Sequence, residues 1–434
     1  MSLFSNRLSL LGSENAFKLG AYIKKAEAEG GDRMIKCNLG EPDFATPKFI
    51  IEEVKKQLDA GNTHYCNPQG LLSLRQAVAR HINETRNIKV TPERVVIFPG
   101  GKPPIGFCQQ AYINEGDEII YPSPGYPVYE SFIKYVGAKP VPLHLKEEKN
   151  FSFDGEELAR LITSKTKIIF LNFPSNPTGG AASEAQLQEI AQVIKTRCPE
   201  DIRVYSDEIY EDIIFDKGRH YSIASVPGME DKTIIVSGVS KSYSWTGGRI
   251  GWAVFPTVEE AQVFKNLNIN YFSSLPPYNQ EGARVALESA ESKKFIVEMM
   301  TAFQERRDMV VEALNKIPGI TCQKPKATFY VFPNVAGVCK NLGVFDAFDS
   351  LPEEIKQKTS PSTLLQMFLL FKYHLAVLDR KSFGSLGEIG DEHYLRFSIA
   401  TSQEDLKEAM ARFQKAAADI DGFNAFFQEG KWLF

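Results

Sequence analysis

The stretch KIIFLNFPSNPTGGAASEAQLQEIAQVIKTRCPEDIRVYSDEIY, residues 167–210, decides the fold. It opens on a continuous apolar run (167–171) and then breaks into turn formers, Asn-Pro and Thr-Gly. A helical pattern follows, in which Leu187, Ile190, Val193 and Ile194 share one face. Ser183 precedes it with Gln186 three residues on, the spacing of a capping box. A second apolar run, IRVYS (202–206), closes the unit. Unbroken apolar strands separated by a helix have no face to spare for water. They belong in a mostly parallel sheet covered by helices on both sides.

The same alternation extends outward from this unit, over residues of about 90 to 255. Strand-like runs recur at RVVIF (94–98), EIIY (118–121), TIIVS (233–237) and WAVF (252–255). The chain ends read differently. Residues 1–48 hold a helical pattern and the turn-rich GEPDFATP, and residues 305–434 mix helices with short strands such as TFYVF (328–332) and YLRFSIA (394–400). The expected architecture is therefore α/β. A large domain spans 49–304, and a smaller α+β domain is built from both termini, 1–48 and 305–434. The irregular, partly acidic segment 336–363 reads as a mobile loop or a solvated insertion. A chain of 434 residues is too long for one typical core and accommodates this division.

Composition narrows the function. With 43% apolar and 24% charged residues and a net charge of −4, nothing favours nucleic acid or an anionic membrane as a partner. No run of about 18 apolar residues exists, and the start, MSLFSNRLSL, makes a poor signal peptide. Six scattered cysteines without a CxxC pair fit reduced thiols, and a cytoplasmic location is expected. The histidines (His64, His81, His144, His220, His374, His393) show no metal spacing.

Ligands of such a sheet gather at the carboxyl ends of its strands, so the residues after each run carry the chemistry. Pro99-Gly100-Gly101-Lys102 follows the first, where small residues and consecutive N–H groups at a helix start suit a phosphate. A plain tight turn explains the same residues. Asn172 to Gly179 follows KIIFL, and its amides serve either a capped loop or a ligand oxygen. Asp207, Glu208 and Tyr210 follow IRVYS. A half-buried carboxylate there is an N-cap or the counter-ion of a buried cationic ring. Gly238-Val239-Ser240-Lys241 follows TIIVS, with Arg249 eight residues on. A lysine in that position either snorkels to solvent or, desolvated, forms a Schiff base. Neither GxSxG, HExxH nor the dinucleotide glycine fingerprint fits. One ligand uses all of these features together. Pyridoxal 5′-phosphate needs N–H groups and an arginine for its phosphate, an amide and a hydroxyl for its phenolic oxygen, a carboxylate for its ring nitrogen and a lysine for its aldehyde.

With those residues in place, the sequence resembles the class I aminotransferases of the fold-type I pyridoxal phosphate family, the group that includes aspartate aminotransferases. The resemblance runs from Gly40 to Arg396. It rests on LGEPDFATP (39–47), HYCNPQGLLSLR (64–75), FPGGK (98–102), SPGYPVY (123–129), NFPSNPTGG (172–180), YSDEIY (205–210), SGVSKSYSWTGGRIGW (237–252) and YLRFSIA (394–400). It implies that Lys241 holds the cofactor and shuttles the proton, that Asp207 pairs with the ring nitrogen, and that Asn176 and Tyr210 bond the phenolic oxygen. Tyr126 would stack on the ring. Gly101, Lys102, Ser240 and Arg249 would serve the phosphate. Tyr65 would reach the phosphate of a neighbouring subunit, which implies a homodimer. Arg396 would clamp the substrate carboxylate beside the Gly40 backbone. Lys102 would meet a distal carboxylate, which admits an acidic substrate.

The sequence departs from the family pattern at four places. Pro103-Pro104 follows the glycine turn and removes N–H donors. Trp245 replaces a smaller residue and would reshape the floor near Lys241. Gly238 stands where a serine often binds phosphate, leaving Ser237 or Ser240 to substitute. The segment 336–363 does not match the usual small-domain pattern. Phe44, Tyr271 and Phe272 could line an apolar side-chain pocket. The expected reaction moves an amino group from an L-amino acid, aspartate or another acidic or aromatic one, to a 2-oxo acid such as 2-oxoglutarate. The alternatives on the same residues are a carbon–sulfur lyase or synthase and a non-catalytic cofactor-binding regulator.

Overall fold

A computed structural model describes residues 3–12, 14–387 and 393–432. Its strands, in chain order, begin with β1 (Ile35–Lys36) and the seven of one large sheet: β2 (Val95–Phe98), β3 (Glu118–Ser123), β4 (Lys139–His144), β5 (Thr166–Asn172), β6 (Arg203–Asp207), β7 (Thr233–Gly238) and β8 (Gly251–Val254). The sheet order is β2-β8-β7-β6-β5-β3-β4. β4, β3, β5, β6 and β7 run parallel, and β8 is antiparallel to both of its neighbours. All six apolar runs of the region 90–255 are strands of this sheet. β4 (KPVPLH) escapes a propensity reading because of Pro140 and Pro142. Its place at the sheet edge reconciles the two, because an edge strand can leave N–H positions unused.

Both faces of the sheet are apolar, as an all-buried strand requires. Along β2, Val96 and Phe98 face one side with Ile105, Phe107, Tyr129 and Phe264, while Val95 and Ile97 face the other with Ile50, Leu74, Val78 and Ile82. Along β5, Ile168 and Phe170 join the first side and Ile169 and Leu171 the second. Helix Glu184–Arg197 lays Leu187, Ile190, Ala191 and Ile194 on the second side. Each such leucine or isoleucine contributes roughly 1.5–3 kcal/mol on burial. Ser183 caps that helix through the Gln186 N–H at 3.2 Å, but Gln186 does not close the box. Its side chain turns to the Phe153 carbonyl at 2.9 Å instead.

The two ends of the chain meet beside this sheet. β1 pairs in parallel with β10 (Leu375–Ala376), and β9 (Tyr330–Val331), β11 (Leu378–Asp379) and β12 (Leu395–Ser398) form a three-stranded sheet in the order β11-β12-β9. Helix Ala290–Asn315 runs through residue 304, so a continuous element joins the two parts. The segment 336–363 is neither a loop nor solvated throughout. It folds as helices Ala336–Asn341, Val344–Asp349 and Glu353–Lys356 and the start of Pro361–Tyr373. Val338, Cys339, Leu342 and Val344 are buried in the main core, which holds the segment in place.

Candidate active site

The carboxyl ends of β2, β5, β6 and β7 open on one cavity of about 450 Å³. Its walls include Gly40, Gly101, Lys102, Tyr126, Asn176, Asp207, Tyr210, Ser240, Lys241, Arg249 and Arg396. Residues more than 350 positions apart in the chain thus converge, because each follows a strand end or lies on the short strands built from the termini. Tyr65 is the exception among the predicted residues. It stands 88% exposed on the surface, away from the cavity walls of its own chain.

Lys241 lies in the short helix Val239–Ser242 directly after β7. Its Nζ donates to the Gly40 carbonyl at 2.5 Å and lies 5.9 Å from the ring centroids of Tyr210 and Phe329. Burial, helped by Arg396 and Arg249 and opposed by Glu41 and Glu14, lowers its pKa to about 8. Gly40 has no room for a side chain, since a Cβ there would lie 2.1 Å from the Tyr330 hydroxyl oxygen. That hydroxyl in turn shares a hydrogen bond with Tyr210 at 2.9 Å.

Asp207 ends β6 with its carboxylate in the cavity wall. Tyr129 donates to Oδ2 at 2.7 Å and the Ile209 N–H to Oδ1 at 3.3 Å. Burial nevertheless raises its pKa to about 6, so the site favours a cation beside it. Tyr129 is fixed by stacking on Phe170 with ring centroids 4.7 Å apart. It lies three residues beyond Tyr126 in SPGYPVY, a helical spacing that could have marked it. Asn172 also escaped a specific role. Its Oδ1 accepts the Asn176 N–H at 3.0 Å, and its amide donates to the Asp207 carbonyl at 3.2 Å.

Arg396 projects from β12. Its guanidinium donates to Asn176 Oδ1 at 2.9 Å and to the Asn38 carbonyl at 2.6 Å. It lies over the Tyr330 and Phe383 rings at 4.3 and 4.9 Å. Its Nε and the neighbouring Asn38 Oδ1 are buried and find no partner among the described residues. A buried guanidinium with a spare donor is costly unless an anion meets it.

Glycines shape the opposite end. Gly100 has φ 92°, and a Cβ there would lie 2.3 Å from Arg249 Nη2. A Cβ on Gly251 would come within 2.5 Å of the Gly100 carbonyl carbon. The backbone can therefore bring the Gly101 and Lys102 N–H groups to the start of helix Pro103–Tyr112. Pro103 stands at the first turn, where its missing N–H removes no intrahelical bond, so the Pro-Pro pair is compatible with this helix. Arg249 is itself left-handed, φ 51°, and is braced by the Thr246 and Pro99 carbonyls at 2.8 and 3.0 Å. Of the two serine substitutes, Ser237 bonds Glu211 at 2.7 Å and is committed elsewhere, while Ser240 lines the cavity.

Three expectations change. Trp245 does not form the floor near Lys241, because its ring packs on Gly248 and Gly282, outside the cavity walls. Phe44, Tyr271 and Phe272 do not line the cavity either; Phe44 packs on Phe303, and the other two on Phe107. Lys102 is not an unpaired cation. It forms an ion pair with Glu14, which also accepts from the Tyr126 hydroxyl at 3.0 Å. No local pattern in the sequence joins Glu14 to residues so far along the chain. Among the described residues, no group of three or more His, Cys, Asp or Glu could hold a metal, and no helix is long and apolar enough to cross a membrane.

An amine of lowered basicity, a carboxylate set for a cation, a glycine cradle with an arginine and a second arginine with an unmet donor thus face one space. The model of the family described as aminotransferase class I and II matches residues 32–413. The chain is 35% identical to the probable aspartate/prephenate aminotransferase of Aquifex aeolicus, over 96% of this chain and 99% of that one. It is 32% identical to aromatic-amino-acid aminotransferase 2 of Thermococcus litoralis, over 89% and 92%. The crystal structure of the aspartate aminotransferase from Rhizobium meliloti superposes with a TM-score of 0.85 at 29% identity, over 96% and 99%.

Proposed function

The chain belongs to the class I and II aminotransferases, and from that premise we propose that its cavity positions pyridoxal phosphate on Lys241 between Asp207 and Arg396. It is a pyridoxal phosphate-dependent aminotransferase that works on amino acids and 2-oxo acids. One observation carries the site assignment: Lys241, its pKa lowered to about 8, shares one cavity with a buried arginine whose Nε is unmet.

The residues fit the cofactor. Gly101, Lys102, Ser240 and Arg249 would hold its phosphate, Asn176 and Tyr210 its phenolic oxygen, Tyr126 a ring face and Asp207 its ring nitrogen. When bound, the protonated ring acts as an electron sink for negative charge at the donor Cα. Asp207 keeps that ring nitrogen protonated, and Tyr129 and the Ile209 N–H keep the carboxylate aimed at it. Arg396 takes the donor's α-carboxylate through the donor it leaves unused, while Asn176 holds the guanidinium in place. Lys241 Nζ removes the Cα proton and returns it on the cofactor side. A base with a pKa near working pH does this best, and positioned proton transfer contributes roughly 10²–10⁴-fold.

Donor side chains of the acidic or aromatic kind are the reading that the relatives' names support. The large and small domains divide as 49–304 against 1–48 with 305–434. Tyr65, exposed in its own chain, completes the site of a second copy, so the working unit is a homodimer. The test is a panel of amino donors offered with 2-oxoglutarate to the cofactor-loaded protein, following the cofactor spectrum. Conversion of donor to oxo acid with recovery of the starting spectrum is expected. Ammonia or sulfide release without an oxo-acid acceptor would instead place the chain among the lyases.

A further inference from the structure

Glu14 is a charged residue of the cavity wall that the proposed reaction does not use. It precedes helix Asn15–Ala28, and its carboxylate is largely shielded, with the side chain 17% exposed. One oxygen, Oε1, receives both the Lys102 ammonium and the Tyr126 hydroxyl. Lys102 also lies 5.9 Å from the ring centroids of Phe17 and Tyr126, so the ion pair is framed by aromatic surface. The segment is tied down beside it, because Asn15 donates to Ser382 at 2.9 Å and Gly12 to Ser131 at 2.8 Å.

A donor whose α-carboxylate meets Arg396 and whose amine meets Lys241 has only its side chain free. That side chain must take the rest of the same cavity, whose wall includes Glu14, Phe17, Leu39 and Tyr126. The cation beside those described residues, Lys102, is already neutralised by an acid of the same chain. A neutral side chain meets aromatic surface and a satisfied ion pair. A second carboxylate must displace Glu14 from Lys102 or lie beside it uncompensated, and like charges brought together are repelled.

On the reading of the site given above, we infer that Glu14 is a specificity-determining residue: it occupies Lys102 as an internal carboxylate and so biases the enzyme toward neutral, above all aromatic, side chains over dicarboxylates. Because donor and acceptor share the cavity in turn, the bias applies to dicarboxylic oxo acids as well as to dicarboxylic amino acids.

The test compares the cofactor-loaded protein with its Glu14→Gln and Lys102→Met variants. The readouts are the kcat/KM ratio of glutamate to phenylalanine, and the Kd of succinate against 3-phenylpropionate by titration calorimetry. In Glu14→Gln both ratios shift toward the dicarboxylate by about fivefold, the worth of one partly shielded charge pair. In Lys102→Met, Glu14 loses its partner and both ratios shift about fivefold the other way. A Glu14→Gln ratio within twofold of the unaltered protein, or a shift toward phenylalanine, overturns the inference. If Glu14→Gln does not fold, Lys102→Met alone decides by the same twofold limit. Turnover by the unaltered protein with unmoved ratios sinks this inference only. No turnover with any donor, despite a bound cofactor, sinks the aminotransferase site assignment, and the succinate titration still reports on Glu14.

Discussion

Lys241 shows most clearly how burial becomes chemistry. An ordinary lysine is protonated at neutral pH and cannot attack an aldehyde. Here, removal of the ammonium from water, with Arg396 and Arg249 nearby, lowers the pKa to about 8. The amine is therefore protonated below that value and free above it. The rate at which cofactor-free protein captures pyridoxal phosphate should rise with pH, about tenfold per unit, and level off above about 8. A stopped-flow pH series measures this, and a rate still climbing beyond pH 10 would show an unperturbed lysine. Asp207 moves in the opposite sense, to about 6, because burial disfavours its charge until a cation arrives. These two residues are legible in the sequence because each follows an apolar strand that forces it into partial burial. Tyr129 and Glu14 are less so, since what matters in them is a contact made only after folding.

At the scale of elements, the strand ends that hold the site rest on a buried charge network. Just past Asp207, Glu208 and Glu211 both take Arg86, at 2.6 and 2.5 Å from Nη2, with His220 on the first and His81 on the second. Burial alone would raise the Glu208 pKa, but Arg86 and His220 hold it at about 2. A carboxyl whose pKa is depressed on folding adds stability above its unfolded value, and loses it as pH falls through the folded one. Arg86→Ala should therefore cost about 3–5 kcal/mol near neutral pH, because two buried carboxylates lose their partner. Urea unfolding measures it, and the deficit should shrink on acidification. An equal deficit at pH 7 and pH 3 would contradict this account. None of the network has a sequence signature: Arg86 reads as the end of an ordinary helix. The segment 336–363 misleads in the reverse direction. Its acidic positions look solvated, while Val338, Cys339, Leu342 and Val344, spaced over two short helices, anchor it in the core.

The whole molecule places a large mixed sheet and a small terminal sheet on either side of one cavity, and its chain ends must meet for the site to exist. Arg396 from β12, Gly40 after β1 and Lys241 after β7 make the point, since no one stretch of sequence contains the site. The sequence order of strands, glycines and charged residues was enough to read the large sheet and most of the cavity wall. It was not enough for pairings across hundreds of residues. The role proposed for Tyr65 extends the same logic to a second copy. Mixing Tyr65→Ala with Lys241→Ala subunits, each inactive or weak alone, should regenerate one intact site per hybrid dimer. Roughly one quarter of full activity is expected for random exchange. A mixture no more active than the average of its parents would contradict a shared site. The bond proposed between Lys241 and the cofactor is covalent, and borohydride reduction of the cofactor-loaded protein, followed by proteolysis and peptide mass mapping, reads it out. A single pyridoxyl adduct is expected, on the peptide carrying Lys241, at that residue. An unmodified Lys241, or the adduct on another lysine, would contradict it.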